Sequence, residues 1–326
     1  MASALTTTAT PILRRLLSAL LCSVSVVAQA AAPAADNASA ATWLNRLAHS
    51  SQLSYRGVLS YVRADHLESL RITHGTLNGE KFERLEHLDG DQREVIRHGQ
   101  QLTCIQLGEH FNRLFQRRPL QAEMARLDPH YAIALGSEER IAGRRAITLN
   151  IAPLDAFRYG YRLALDYDTG LLLLLETLTG KGQVLERLQF VEVEIGQPLK
   201  KEWLGDSLAL PDSSADPGSV ERVVEEAQMP WRPQWLPPGF VLSVAPRKLS
   251  DDVLTYSDGL AVLSVFVATV AEPQSAALGK AAQGATVAVT RSTQFGGKPM
   301  LVTVVGEVPP ATAARVVDSV VWDGTN

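Results

Sequence analysis

The stretch Asp166-Tyr167-Asp168-Thr169-Gly170 is where carboxylates, a hydroxyl and a glycine come nearest to a catalytic spelling. Asp168-Thr169-Gly170 matches the triplet of aspartic proteases, whose chemistry needs two carboxylates sharing one proton and therefore a second such loop. The chain carries no second copy. Read instead as Asp166-x-Asp168-Thr169, the segment falls one residue short of a phosphatase pattern, because Gly170 stands where a hydroxyl or small side chain should follow. A hairpin turn in which Gly170 supplies a positive φ accounts for the same residues without catalysis.

The remaining reactive side chains are scattered. All seven histidines lie between His49 and His130, and no pair has the spacing of a zinc site with acidic or thiol partners. No G-x-S-x-G elbow presents a nucleophilic serine. The expectation is a protein with no catalytic residues, no metal and no cofactor, so its function should rest on binding.

The first thirty residues read as a signal peptide. Arg14 and Arg15 precede an apolar run from Leu16 to Val27, and Ala28-Gln29-Ala30 makes a small-x-small cleavage site. Cys22 invites a lipoprotein reading, but Leu21 before it is larger than such processing favours. The mature chain then retains Cys104 as its only thiol, which rules out an intramolecular disulfide and reads as a small buried hydrophobe. No later segment reaches the roughly twenty apolar residues of a membrane-spanning helix, so the mature chain is expected to be exported and soluble.

Charge divides the mature chain. Residues 31–200 carry 20 basic and 21 acidic groups, residues 201–229 carry 2 and 7, and residues 230–326 carry 7 and 7. The acidic middle contains LALPDSSADPGS, too poor in apolar surface to order itself, and reads as a linker between an N-terminal and a C-terminal domain. No basic patch with interleaved aromatics points to nucleic acid.

A mainly β, α+β fold has to position these residues. ATWLNRLAHS predicts a helix with Trp43, Leu44 and Leu47 on one face. GVLSYVR, LRITHG, EKFERLEHL, QREVIRHG and QLTCIQL predict strands in quick succession, and a second helix is expected from Pro119 to Leu127. RYGYRLALD alternates, with Tyr159, Tyr161, Leu163 and Leu165 on one face. Leu171, Leu172, Leu173, Leu174 and Leu175 follow with no polar alternation, so both faces of that strand expect cover. In VLERLQFVEVEIG the adjacent Phe190 and Val191 shift the apolar register, as a bulge does.

Few helices and many strands predict one large antiparallel sheet curled into an unclosed barrel. One face would meet helix; the other would line an apolar cavity. Tyr159, Tyr161 and Leu171 to Leu175 are the candidate cavity residues, with Leu172 and Leu174 in one row and Leu171, Leu173 and Leu175 in the other. The C-terminal domain, 230–326, opens with WRPQWLPPGF, continues in five strands with a hairpin at Gly296-Gly297, and ends in PATAARVVDSVVW with Val316, Val317, Val320 and Val321 as a helical stripe. Trp231, Trp235, Tyr256 and Phe266 are its candidate partner-binding residues.

The segments ERLEHLDGDQREVIRHG, EERIAGRRAITLNIAPLDAFRYGYRLALDYDTGLLL, GQVLERLQF, WLPPGF, YSDGLAVLSVF and VTVVGEVP, in this order, resemble the RseB/MucB family. These are periplasmic negative regulators of an envelope-stress sigma factor. The resemblance implies an N-terminal domain similar to lipoprotein carriers, with an apolar concavity, and a smaller C-terminal domain. It implies binding to the periplasmic part of a membrane anti-sigma factor of the RseA/MucA type, shielding of that partner from proteolysis, and release by a lipid or lipopolysaccharide ligand. A homo-oligomer stays open as an alternative to a monomer. A lipid or lipoprotein carrier without a regulatory partner, and an envelope hydrolase, are the competing classes.

Overall fold

The structure, a computed structural model, describes residues 34–91, 93–98, 101–103, 127, 129–204, 230–243, 253–270 and 279–322. The leader, Cys104, the helix expected from Pro119 (apart from Leu127, which is helical and buried) and the linker beyond Leu204 lie outside the described residues.

Helix α1 spans Ala34–Ser50 and begins earlier than the sequence pattern suggests. Its Ala40, Leu44 and Leu47 recur at helical spacing and are all buried. Ten strands follow: β1 Tyr55–Arg63, β2 His66–Leu77, β3 Glu80–His87, β4 Glu94–His98, β5 Gln101–Thr103, β6 Tyr131–Ile141, β7 Arg144–Pro153, β8 Gly160–Asp166, β9 Leu172–Leu178 and β10 Val184–Ile195. They form one antiparallel sheet in the order β5-β4-β3-β2-β1-β10-β9-β8-β7-β6. Two meanders therefore meet where β1 pairs with β10, and the sheet is open: β5 and β6 are its edges and do not pair with each other. The large, unclosed antiparallel sheet expected from the strand pattern is the architecture observed.

Register shifts in four of its strand pairings curve it. Val58 opposes Glu192 but Leu59 opposes Phe190, which leaves Val191 without a partner on β1 and 61% exposed while Phe190 is buried. This is the register shift signalled by the adjacent Phe190 and Val191. The β6–β7 hairpin, by contrast, is absent from the strand reading above. Its turn places Ala142 and Gly143 both at positive φ, 48° and 75°, the conformation that Asn-Gly usually advertises.

The C-terminal part builds a second sheet from β12 Val241–Leu242, β13 Val253–Ser257, β14 Val262–Thr269, β15 Gly279–Gln283, β16 Thr286–Phe295 and β17 Lys298–Gly306, in the order β12-β13-β14-β17-β16-β15. Gly296 and Gly297, at φ 56° and 76°, make the expected β16–β17 hairpin. Helix α2, Pro310–Asp318, buries Thr312, Ala313, Val316 and Val317. It ends sooner than the valine stripe predicts, because Val320 and Val321 lie in a short strand, β18 Val320–Trp322, that pairs with β11 Trp231–Pro233. Residues 201–204, assigned above to the linker, form a 3₁₀ turn whose Leu204 is buried with Phe82 and Leu199.

Candidate functional site

The Asp166 turn is where the five leucines begin. Gly170 adopts φ 77°, its N–H donates to the Asp166 carbonyl at 2.8 Å, and the Thr169 N–H and hydroxyl donate to Asp166 Oδ1 at 2.9 and 2.7 Å. A side chain at Gly170 would run into Arg46 of α1, so the glycine answers to close approach as well as to φ. Arg144 holds the second carboxylate oxygen of Asp166 at 2.5 Å. Burial alone would raise this carboxyl's pKa, but the hydrogen bonds from Arg144 and Thr169 outweigh burial and hold it below the ordinary range. The aspartate is thus a structural element of the β8–β9 hairpin.

All five leucines are buried, between 1% and 8% exposed. Their rows differ from simple alternation. Ala164 opposes Leu174 whereas Leu165 opposes Leu172, so β9 carries one extra residue at Leu173. Leu172 and Leu175 accordingly join the cluster under α1, with Leu44, Leu47, Leu149, Leu163 and Leu165. Leu171, Leu173 and Leu174 join the neighbouring cluster with Leu59, Leu70, Ile72 and Phe190. The predicted rows, Leu172 with Leu174 and Leu171 with Leu173 and Leu175, are corrected by this bulge. Farther along the same strand Glu176 accepts ion pairs from Arg162 on β8 and Arg187 on β10, so charged side chains cover each other where the leucines stop.

Tyr159 and Tyr161 are both 5% exposed. Tyr161 belongs to the cluster under α1, as its alternation with Leu163 and Leu165 predicts. Burial first, and then the Glu186 carboxylate, raise the Tyr159 phenol above its ordinary pKa.

Among the C-terminal aromatics, Trp231 and Tyr256 are core residues, 1% and 0% exposed, and offer no surface in this conformation. Phe266 is half-buried on β14, and Trp235 is half-buried beside Phe157 of the β7–β8 loop, ring centroids 5.2 Å apart. The Arg315 guanidinium lies 3.9 Å from the Trp235 ring centre. Trp235 therefore sits on a seam between the two sheets. The same seam contains Gly239, packed onto His130, and Glu186, which accepts the Ala285 N–H at 2.9 Å and the Tyr61 hydroxyl at 3.1 Å. The seam was not foreseen from the sequence; its only signals were loop motifs, FRYGY, WLPPGF and YSDG, with no common periodicity.

Among the described residues no group of His, Cys, Asp and Glu side chains is arranged to hold a metal ion, and no helix is long and apolar enough to cross a membrane.

Family models for the MucB/RseB N-terminal domain and the MucB/RseB C-terminal domain match residues 39–208 and 225–321. The chain is 37% identical over 307 residues to the sigma factor AlgU regulatory protein MucB of Pseudomonas aeruginosa, which covers 89% of this chain and 93% of that protein. It is 28% identical over 301 residues to the sigma-E factor regulatory protein RseB of Salmonella typhimurium, with 88% and 91% covered. The crystal structure of MucB in complex with MucA(peri) is similar at a TM-score of 0.68 and 36% identity, covering 88% of this chain and all of that one. With both domain models matched in order across an open ten-stranded sheet and a six-stranded partner, the chain belongs to the MucB/RseB family of sigma factor regulatory proteins.

Proposed function

We propose that this chain is a periplasmic regulator that binds the periplasmic part of a membrane-spanning anti-sigma factor and protects it from regulated proteolysis. A lipid or lipopolysaccharide ligand would release it. The reading is carried by the likeness, along 88% of the chain, to MucB crystallised with MucA(peri). In this reading the partner spans the membrane and carries the signal inward, while the present chain acts through occupancy alone. Shielding needs only that the bound segment be the one a protease must reach. Release by a ligand requires that the ligand bind the free and complexed forms with different affinity.

The ligand end of the proposal places an acyl chain against the leucine strand. Leu171 to Leu175 fill two adjoining clusters and are already covered, so an acyl chain would enter by parting them rather than by filling an exposed groove. Half-buried Trp235 and Phe266 remain the candidate partner contacts of the C-terminal domain.

Co-elution of the purified mature chain with the periplasmic segment of the same organism's anti-sigma factor, followed by calorimetry, tests the proposal. A saturable complex that acylated lipid dissociates is expected. Absence of a complex, together with recovery of many lipids or lipoproteins from membranes, would make the protein a carrier.

A further inference from the structure

Arg158, in the β7–β8 loop of the first sheet, has its side chain 0% exposed, and so does its partner Asp258, in the β13–β14 turn of the second. Nη1 donates to Asp258 Oδ2 at 2.5 Å and Nη2 to the Pro238 carbonyl at 2.6 Å, so one guanidinium is gripped by two separate loops of the C-terminal part. Its Nε faces Asp155 on its own side at 3.1 and 3.2 Å. The Tyr131 hydroxyl donates to Asp258 Oδ2 at 2.9 Å, and Asp258 Oδ1 accepts the Leu260 and Ala261 N–H groups. The Tyr131 ring from the first sheet and the Phe240 ring from the second lie 5.3 and 5.5 Å from the guanidinium carbon.

A pair of this kind resists gradual sliding. A small rotation of either sheet would separate the charges while the rings still exclude water, and an unpaired buried charge is far costlier than either a paired or a hydrated one. Full separation is less costly, because both charges regain water and Asp155, three residues away, stays with Arg158. The favoured states are thus fully closed and fully open, with little between, as packed interfaces tend to be. A polar contact elsewhere on the seam, Glu186 with the Ala285 N–H, would break in the same motion.

We propose that Arg158 and Asp258 form an all-or-none lock between the two sheets, and that the chain exchanges as a whole between the closed form described here and an open form in which both charges are hydrated. Any ligand or partner segment with unequal affinity for the two forms is then felt across the seam.

Amide hydrogen exchange on the full mature chain tests this, with the Ala285 amide as the remote reporter and the paired amides of β8 and β17 as the control for folding. Arg158→Lys keeps the charge and loses the fork. The lock predicts that exchange rises about tenfold or more at Leu260, Ala261 and Ala285 together, with β8 and β17 unchanged. A rise confined to Leu260 and Ala261, with Ala285 within about twofold of wild type, would make the pair a local contact and overturn the proposal. Should Arg158→Lys expose β8 and β17 as well, Asp258→Asn is judged by the same three amides. If that variant also loses protection throughout, the pair is a requirement for folding and no lock exists.

Discussion

At the scale of single residues, Asp166 shows how a catalytic spelling can be structural. Its carboxylate closes a turn and binds Arg144, and its pKa is held low by those hydrogen bonds in spite of burial. A carboxyl depressed in the folded state stabilises the fold at pH values above its unfolded pKa of about 3.9, and that contribution is lost as pH falls through the folded pKa. Asp166→Asn should therefore cost on the order of 1–3 kcal/mol at neutral pH. The gap from wild type should shrink on acidification toward pH ~3, as followed by urea denaturation at each pH. An equal cost at both pH values would mean that the carboxylate's charge contributes nothing. The turn itself was legible, since Gly170 after Asp-Thr spells positive φ. That α1 passes against Gly170 was not, because nothing local in the sequence records a contact with Arg46 so far away in the chain.

Among the elements, bulges set the curvature of the large sheet, and of the two at Val191 and Leu173 only the first announces itself. Phe190 and Val191 are both apolar and adjacent, so strict alternation fails visibly and the bulge could be read. Leu173 is an identical residue in a run of five, and a uniform run carries no phase, so its bulge and the true leucine rows emerge only from pairing with β8. The β6–β7 hairpin escaped for the opposite reason: Ala142 occupies a position where turn chemistry favours Asn or Gly. Deleting Val191 tests whether the readable bulge matters. Without the extra residue the pairings Leu59–Phe190 and Val58–Glu192 become consecutive and Phe190, Val193 and Ile195 keep their common face, so only the local bend is lost and the cost should stay below about 1 kcal/mol. Chemical denaturation monitored by circular dichroism would register it; a loss of roughly 3 kcal/mol or more would show that the bend itself is needed to pack the sheet over its core.

For the molecule as a whole, two sheets with separate cores meet at a seam built from loops, and the fold class was visible in the strand spacing while the seam was not. Loop residues such as Arg158, Pro238 and Asp258 have no periodicity to betray that they converge, even though the segments that contain them are the ones by which the chain resembles its family. Family membership makes the chain a member of a group of sigma factor regulators, and the proposed role adds protection of a partner by occupancy. The direct measurement is the rate at which the activating protease cuts the periplasmic segment of the anti-sigma factor, taken alone, with the mature chain in excess, and again after adding acylated lipid. The account predicts that cutting slows in proportion to the fraction of segment bound and recovers when lipid is added. Cutting at an unchanged rate under conditions where the segment is fully bound would contradict it.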